Sequence, residues 1–356
     1  GIHAWAVYTL VALAVSWWTY VKHTPTKFSS IFGLSKRKSS MLAIFIDTTV
    51  AITTALSVAV SLAFGAKQII AGLKQLPLFT SLSVSPIVVV ILGTALTIAS
   101  LKRGMRRGIL ATSKLSISCA SILLLYTLLT GPTETLLYTC LQSARDYLQQ
   151  LPTFTFGLRH FENINKQEWM TSWTTFYWAW WIAWAPFVGT FIARISKGRT
   201  VRSLVFSMLS IPTITTVIWF SVFGKTASQF NQLGIPISAA IATDPASGIF
   251  LVLSQLPLPS LTILICLVSV AAFYVSSADS AILSICAHLD QGRSNDKKLI
   301  VWAIIEAIIS MILISYDGSS LIQAILISFS LPLCLLLLAS SVFLLRSMVS
   351  HHRIRE

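Results

Sequence analysis

Long apolar runs alternate with short polar stretches from one end of the chain to the other. Nine runs predict membrane-spanning helices, at approximately 4–21, 42–64, 86–101, 109–130, 173–193, 203–223, 258–284, 299–315 and 321–345. Most approach the roughly 20 apolar residues needed to cross about 30 Å of hydrocarbon. The third is short. Two further stretches, 131–170 and 224–257, mix polar with apolar positions, and each predicts an amphipathic surface helix. The fold class this pattern predicts is an all-α polytopic membrane protein, with residues 1–356 forming one transmembrane domain.

Composition agrees with that pattern. Hydrophobic residues make up 55% of the 356 and charged residues only 11%, against about 25% charged in an ordinary soluble domain. A net charge of +14 could suggest nucleic acid, but its distribution argues against that partner. Twenty of the basic residues fall in alternate loops on one side: Lys22 to Lys38, Lys102 to Lys114, Arg194 to Arg202, Arg293 to Lys298, and Arg346 to Arg355. Only Lys67, Lys74, Arg145, Arg159, Lys166 and Lys225 lie on the other. Basic loops stay in the cytoplasm, so the first span starts outside and the C-terminus is cytoplasmic. Only Gly1, Ile2 and His3 precede the first span, a start expected of a larger protein whose earlier helices are missing here. The five scattered cysteines have neither metal-ligand spacing nor a disulfide framework, and suit small packing positions in helices.

Candidate chemistry concentrates in the fifth span. Between Trp173 and Trp184 there are five tryptophans in twelve residues, with Trp169 just upstream. Membrane helices normally keep Trp at their interfacial ends. Indole faces carry negative potential, and a group of them can hold a cation that neither donates nor accepts hydrogen bonds. Helical spacing places Trp173, Tyr177, Trp180, Trp181 and Trp184 along one broad face, flanked by Phe176 and Phe187, with Trp178 pointing elsewhere. Pro186 removes a backbone hydrogen bond just past the cluster, and Gly189 permits close helix packing. One desolvated cation–π contact contributes about 2 kcal/mol, so several rings are needed to hold a cation in a dry site. A bulky packing stripe or interfacial belt has the same spacing. His3, Trp5 and Tyr8 form a second aromatic group at the start of the first span, where an ordinary outer belt would also lie.

Polar groups inside spans are the other candidates. The seventh carries Phe273, Tyr274, Ser276, Ser277, Asp279 and Ser280 in close succession. Hydroxyl and carbonyl oxygens there could coordinate Na⁺, as broken transporter helices do, or the hydroxyls could bond back to their own helix. Asp47 and Glu306 are further buried acids, and Glu306 lies deepest and should pair or protonate. No His-Glu pair has zinc spacing and no Gly-rich phosphate loop follows a strand, so neither an enzyme nor an ATP-driven pump is expected.

The run Trp173 to Gly189, continuing through Ala193 to Arg202, resembles the signature of the betaine–choline–carnitine transporter family. Gly1 to Tyr8 is similar to that family's fourth helix, Gly131-Pro132-Thr133 to the end of its seventh, and Ser276 to Ser280 to its tenth. The resemblance implies a partial LeuT-like inverted-repeat bundle running from the fourth helix to the twelfth. It implies that Trp5, Tyr8 and Trp181 wall an aromatic box around a quaternary ammonium, with Trp180 and Trp184 along the route. Phe176 and Phe187 become gates, Phe176 also touching substrate. Phe273, Ser276 and Ser277 contribute to a Na⁺ site, and no other cofactor is implied. Departures from the family pattern are the absent glycine-rich third helix and Ser57, Val60 and Ala63, which stand where glycine, threonine and glycine are expected. Val60 offers no oxygen, which puts a second sodium site in doubt. Ser276 replaces the commoner threonine and keeps the hydroxyl.

The function expected is secondary transport of a trimethylammonium compound (glycine betaine, choline or carnitine) across a bacterial inner membrane, coupled to an ion or to exchange. Its partners would be that substrate, the bilayer and, as in related proteins, two further copies in a trimer. A sodium-coupled amino-acid transporter of the same architecture and a non-transporting sensor or remnant are the alternatives.

Overall fold

Apolar runs of this length fold as helices because a bilayer offers the backbone no outside hydrogen-bond partner. The computed structural model describes residues 1–34, 40–79, 81, 83–156, 170–290, 295–316 and 319–353, and every regular element among them is helical. The elements are α1 (Ile2–Ser16), α2 (Met41–Leu73), α3 (Pro86–Gly104), α4 (Leu110–Thr130), α5 (Thr133–Phe156), α6 (Phe176–Ile195), α7 (Val201–Gln232), α8 (Ile237–Thr243), α9 (Gly248–Ser254), α10 (Pro259–Asp290), α11 (Asp296–Ser315) and α12 (Ser319–Arg353). A wider π turn extends α1 over Trp17–Val21, and others lead into α4 and α6. Trp169, Arg159, His160, Lys166 and residues 157–169 of the first mixed stretch lie outside the described residues, as do Lys36, Arg37, Lys38, Arg293 and Arg355 and the side chain of Trp173.

Each predicted span coincides with a helix. Eight helices among the described residues are long and apolar enough to cross a membrane. The chain is thus an all-α polytopic membrane protein. The fifth predicted span, α6, has 20 residues but is not one of the eight. Its tryptophans and tyrosine are less hydrophobic than the aliphatic residues of the other spans, and Arg194 occupies its last turn. Hydropathy locates the apolar middle of a helix, whereas hydrogen bonding carries it further: α2 continues to Leu73, α10 to Asp290 and α12 to Arg353.

The mixed stretches divide. α5 provides the predicted helix in the first; Leu136 is buried in it while Leu137, Tyr138, Leu141 and Leu148 are exposed. The second holds no single amphipathic helix. α7 runs on to Gln232, Gly234 takes a left-handed φ of 87°, and α8 starts after Pro236. Asp244 then accepts from the Ala246 amide at 3.1 Å and caps a short 3₁₀ turn ahead of α9.

Two compact units make up the chain: Gly1–Ser61 with Glu168–Pro212 and Ser277–Glu356, and Leu62–Gln167 with Thr213–Ser276. In the first, α1 packs along α6, and α12 packs on both. Gly189 allows the α1–α6 approach, because a Cβ there would lie 2.5 Å from Val11 Cγ1 and 3.0 Å from the Ala12 nitrogen. Val11, Ala12, Val15, Ala185 and Leu333 fill the resulting core. Asp47 secures the chain between α1 and α2. Its carboxylate accepts from the Ser29 amide at 2.9 Å and the Ser29 hydroxyl at 2.8 Å, and Lys27 lies 3.8 Å away.

The second unit is built on close approaches of its own. A Cβ on Gly93 of α3 would fall 2.5 Å from the Tyr274 ring of α10. Ser269 on α10 donates to the Ser116 carbonyl of α4 at 3.0 Å, and Tyr126 donates to the Pro257 carbonyl. Leu123, Phe223, Phe250, Leu253 and Ile263 are buried among these helices.

An aromatic cluster on the first unit

The first turns of α1 and the body of α6 bring together the two aromatic groups that lie 165 or more positions apart in sequence. Tyr8 is buried in the apolar cluster of the first unit, and Trp5, Trp181 and Trp184 pack against that cluster, each partly buried. The three residues expected to wall the box therefore belong to the same extended apolar cluster, which runs from Ala4 to Leu344. Trp5 and Tyr8 meet edge to face, with centroids 5.4 Å apart and planes at 86°. The Thr9 hydroxyl donates to the Trp5 carbonyl at 2.6 Å, which satisfies that hydroxyl within its own helix.

Along α6 the rings form two contact groups. Phe176 lies 5.3 Å from Trp180, and Tyr177 stacks on Trp180 at 6.0 Å with planes 27° apart. Tyr177 also reaches Trp181 at 6.4 Å, and Trp184 meets Phe187 at 5.3 Å. Phe176 and Phe187, the expected gates, are both buried. The Trp184 indole N–H donates across to the Ser57 carbonyl of α2 at 3.4 Å. Ser57 is one of the positions where glycine was expected, and it contributes here through its backbone.

One member of the group escaped the sequence reading. Trp178 does not point away: its ring lies 5.4 Å from Trp181 and 5.8 Å from His3 of α1. The i, i+3 spacing of Trp178 and Trp181 carried that signal. A broad α1–α6 contact means that residues on the edge of the aromatic face also meet the neighbouring helix. His3 joins the same group through Trp178.

The polar motif of the seventh span lies on an uninterrupted helix. α10 runs from Pro259 to Asp290 without a break, so the carbonyls of residues 273–280 lie within a helical ladder. Ser276 donates to the Phe273 carbonyl at 3.2 Å and is buried, Ser277 is half-buried, and the Phe273 ring is exposed. Further along α10, His288 is fully buried with a ring nitrogen 3.2 Å from the Thr190 hydroxyl of α6. Glu306 of α11 is 1% exposed, and both of its carboxyl oxygens are buried without a hydrogen-bond partner among the described residues. The acid that acts on it electrostatically is Asp279 of α10, which supplies the neighbour that sequence alone did not name.

Comparison with known proteins supplies the family. The family model described as BCCT, betaine/carnitine/choline family transporter, matches residues 1–353. The glycine betaine transporter OpuD of Bacillus subtilis (strain 168) is 33% identical over 357 residues, covering 99% of this chain and 69% of its own length. Glycine betaine transporter 1 of Vibrio parahaemolyticus is 34% identical over 371 residues, covering 98% and 67%. The glycine betaine transporter of Acinetobacter baylyi is 33% identical over 345 residues, covering 95% and 52%. The chain thus spans between about half and about two thirds of the length of these relatives. With a match that runs almost from end to end and an aromatic cluster on the two helices that carry the resemblance, the chain belongs to the betaine/carnitine/choline family of transporters.

Proposed function

We propose that the chain is the transporting domain of a secondary carrier for trimethylammonium compounds, with Trp5, Tyr8 and Trp181 forming the walls that face the methylated nitrogen. The observation that carries this reading is the gathering of these three residues, from α1 and α6, at one apolar cluster. A quaternary ammonium is bulky, weakly hydrated and without N–H donors. Ring faces are the groups that attract it without requiring a hydrogen bond. Trp180 and Trp184 line the route on either side, Phe176 touches substrate and gates it, and Phe187 gates the far end. The names of the relatives favour glycine betaine as the first substrate to test.

In this reading α6 also crosses the membrane, bringing the spans to nine, and the helices form part of a LeuT-like inverted-repeat bundle that works by alternating access. Phe273, Ser276 and Ser277 contribute to a Na⁺ site, where the back-bonded Ser276 hydroxyl would turn from the Phe273 carbonyl to the ion. Each net positive charge entering gains about 2.3 kcal/mol per 100 mV. One Na⁺ carried with zwitterionic betaine therefore supports roughly fifty-fold accumulation. The basic loops and the C-terminus face the cytoplasm of a bacterial inner membrane, and the protein works as a homotrimer.

The test is uptake of radiolabelled betaine and choline by the chain reconstituted in liposomes, with binding followed by tryptophan fluorescence. Trp181→Ala is expected to weaken binding about thirtyfold, the equivalent of about 2 kcal/mol for one desolvated ring. Unchanged betaine and choline binding in that variant would remove the aromatic box from the mechanism.

A further inference from the structure

At the end of α1 opposite Trp5, a cavity of about 340 Å³ opens in the first unit, between the π turn, the α6–α7 loop, the start of α7 and the end of α12. Its floor is aliphatic, formed by Leu13, Leu204, Leu344 and Met348. Its rim is polar and cationic. Ser196, Arg199 and Thr200 line it directly. Two further ammonium groups, themselves outside the lining, lie over rings that belong to it: Lys22 is 6.0 Å from the Trp17 ring and Lys197 is 5.9 Å from the Tyr20 ring.

No carboxylate among the described residues lies within ion-pair distance of Lys22, Lys197 or Arg199; Asp47 is engaged with Lys27. The loop itself is tightly formed. The Arg199 amide donates to the Ser196 carbonyl at 3.0 Å, and Gly198 between them takes a φ of 84° that other L residues rarely adopt. Thr200 caps α7 through a 3.2 Å bond from the Ser203 amide, so the positive end of a 32-residue helix dipole meets the same rim. Trp17 is fixed on the other wall by a 2.9 Å bond to the Ser347 hydroxyl.

A ligand that fits must be anionic at one end and aliphatic at the other. We infer that this cavity seats an anionic phospholipid, with its phosphate among Lys22, Lys197 and Arg199 and the start of an acyl chain along Leu13, Leu204 and Met348. The inference rests on the reading of these helices as spans with their basic loops in the cytoplasm, where anionic lipid is concentrated. It does not depend on which substrate is carried. Trp17 and Tyr20 then occupy the headgroup level that such rings favour.

Native mass spectrometry of the purified, delipidated chain in neutral detergent tests this, with titrations of phosphatidylglycerol and of phosphatidylcholine. Phosphatidylglycerol should be retained in preference. Lys197→Gln with Arg199→Gln should weaken it about thirtyfold, equivalent to about 1 kcal/mol per charge, and leave phosphatidylcholine unchanged. Leu204→Trp, which fills the floor and keeps every charge, should weaken it as well. Equal retention of the two lipids, or phosphatidylglycerol binding indifferent to the double substitution, would overturn the assignment. So would displacement by inorganic phosphate together with indifference to Leu204→Trp, which would mark a free-anion site. No transport enters the readout, so a failed lipid test and a failed betaine-binding test remain separate results.

Discussion

Individual side chains in this protein are held by what they cannot exchange with solvent. Glu306 is the extreme case. It is almost fully buried, its oxygens have no hydrogen-bond partner among the described residues, and a second acid, Asp279, acts on it. An unsatisfied buried polar group costs about 1–3 kcal/mol. Glu306→Met keeps the volume and removes the cost, so thermal unfolding in detergent should shift to higher temperature. A shift downward would mean that the carboxyl has a stabilising partner after all. A residue retained against stability at mid-helix is a candidate for a functional task. The sequence showed that Glu306 was deep; it did not show the neighbour, because Asp279 lies 27 positions away on another helix. Ser57 shows the same limit. Its contribution to the aromatic cluster is a backbone carbonyl, which leaves no mark on residue type.

At the level of helices, the α1–α6 contact decides whether the cluster exists. A Cβ on Gly189 would run into Val11 and Ala12. Gly189→Ala must push the helices apart or distort them, with a loss on the order of 1–3 kcal/mol from overpacking. Thermal unfolding and betaine binding should both suffer in that variant. Loss of stability with unchanged binding would show that the two helices do not act together in holding substrate. This contact was partly legible beforehand: a small residue three positions after Pro186, on a helix with a broad aromatic face, signals close packing. The location of every span was also legible, since apolar runs have few other uses. Helix ends were not, because hydrogen bonding persists where hydropathy fades. The 224–257 stretch misled for a different reason. Its mixed polarity suggested one surface helix, but Gly234, Pro236 and Pro245 divide it.

For the molecule as a whole, the distribution of charge is the property that sequence fixes most firmly and that helix packing leaves open. Twenty basic residues on one set of loops against six on the other predict a definite orientation. Cysteines introduced at Ser196 and Gln75, in loops after α6 and α2, should react with a membrane-impermeant maleimide from opposite sides of intact cells, Gln75→Cys from outside. Labelling of both from the same side would invert or abolish the proposed topology. The bond from Trp184 to Ser57 bears on what such a carrier accepts as cargo. An indole has one proton to give, and this one is already given to the scaffold. If Trp184 lines the route as proposed, what remains for a passing solute is a broad, electron-rich surface without direction. Such a surface grades its guests by roundness and by how loosely they hold their water. It has no means of asking which atom lies at the centre of the charge.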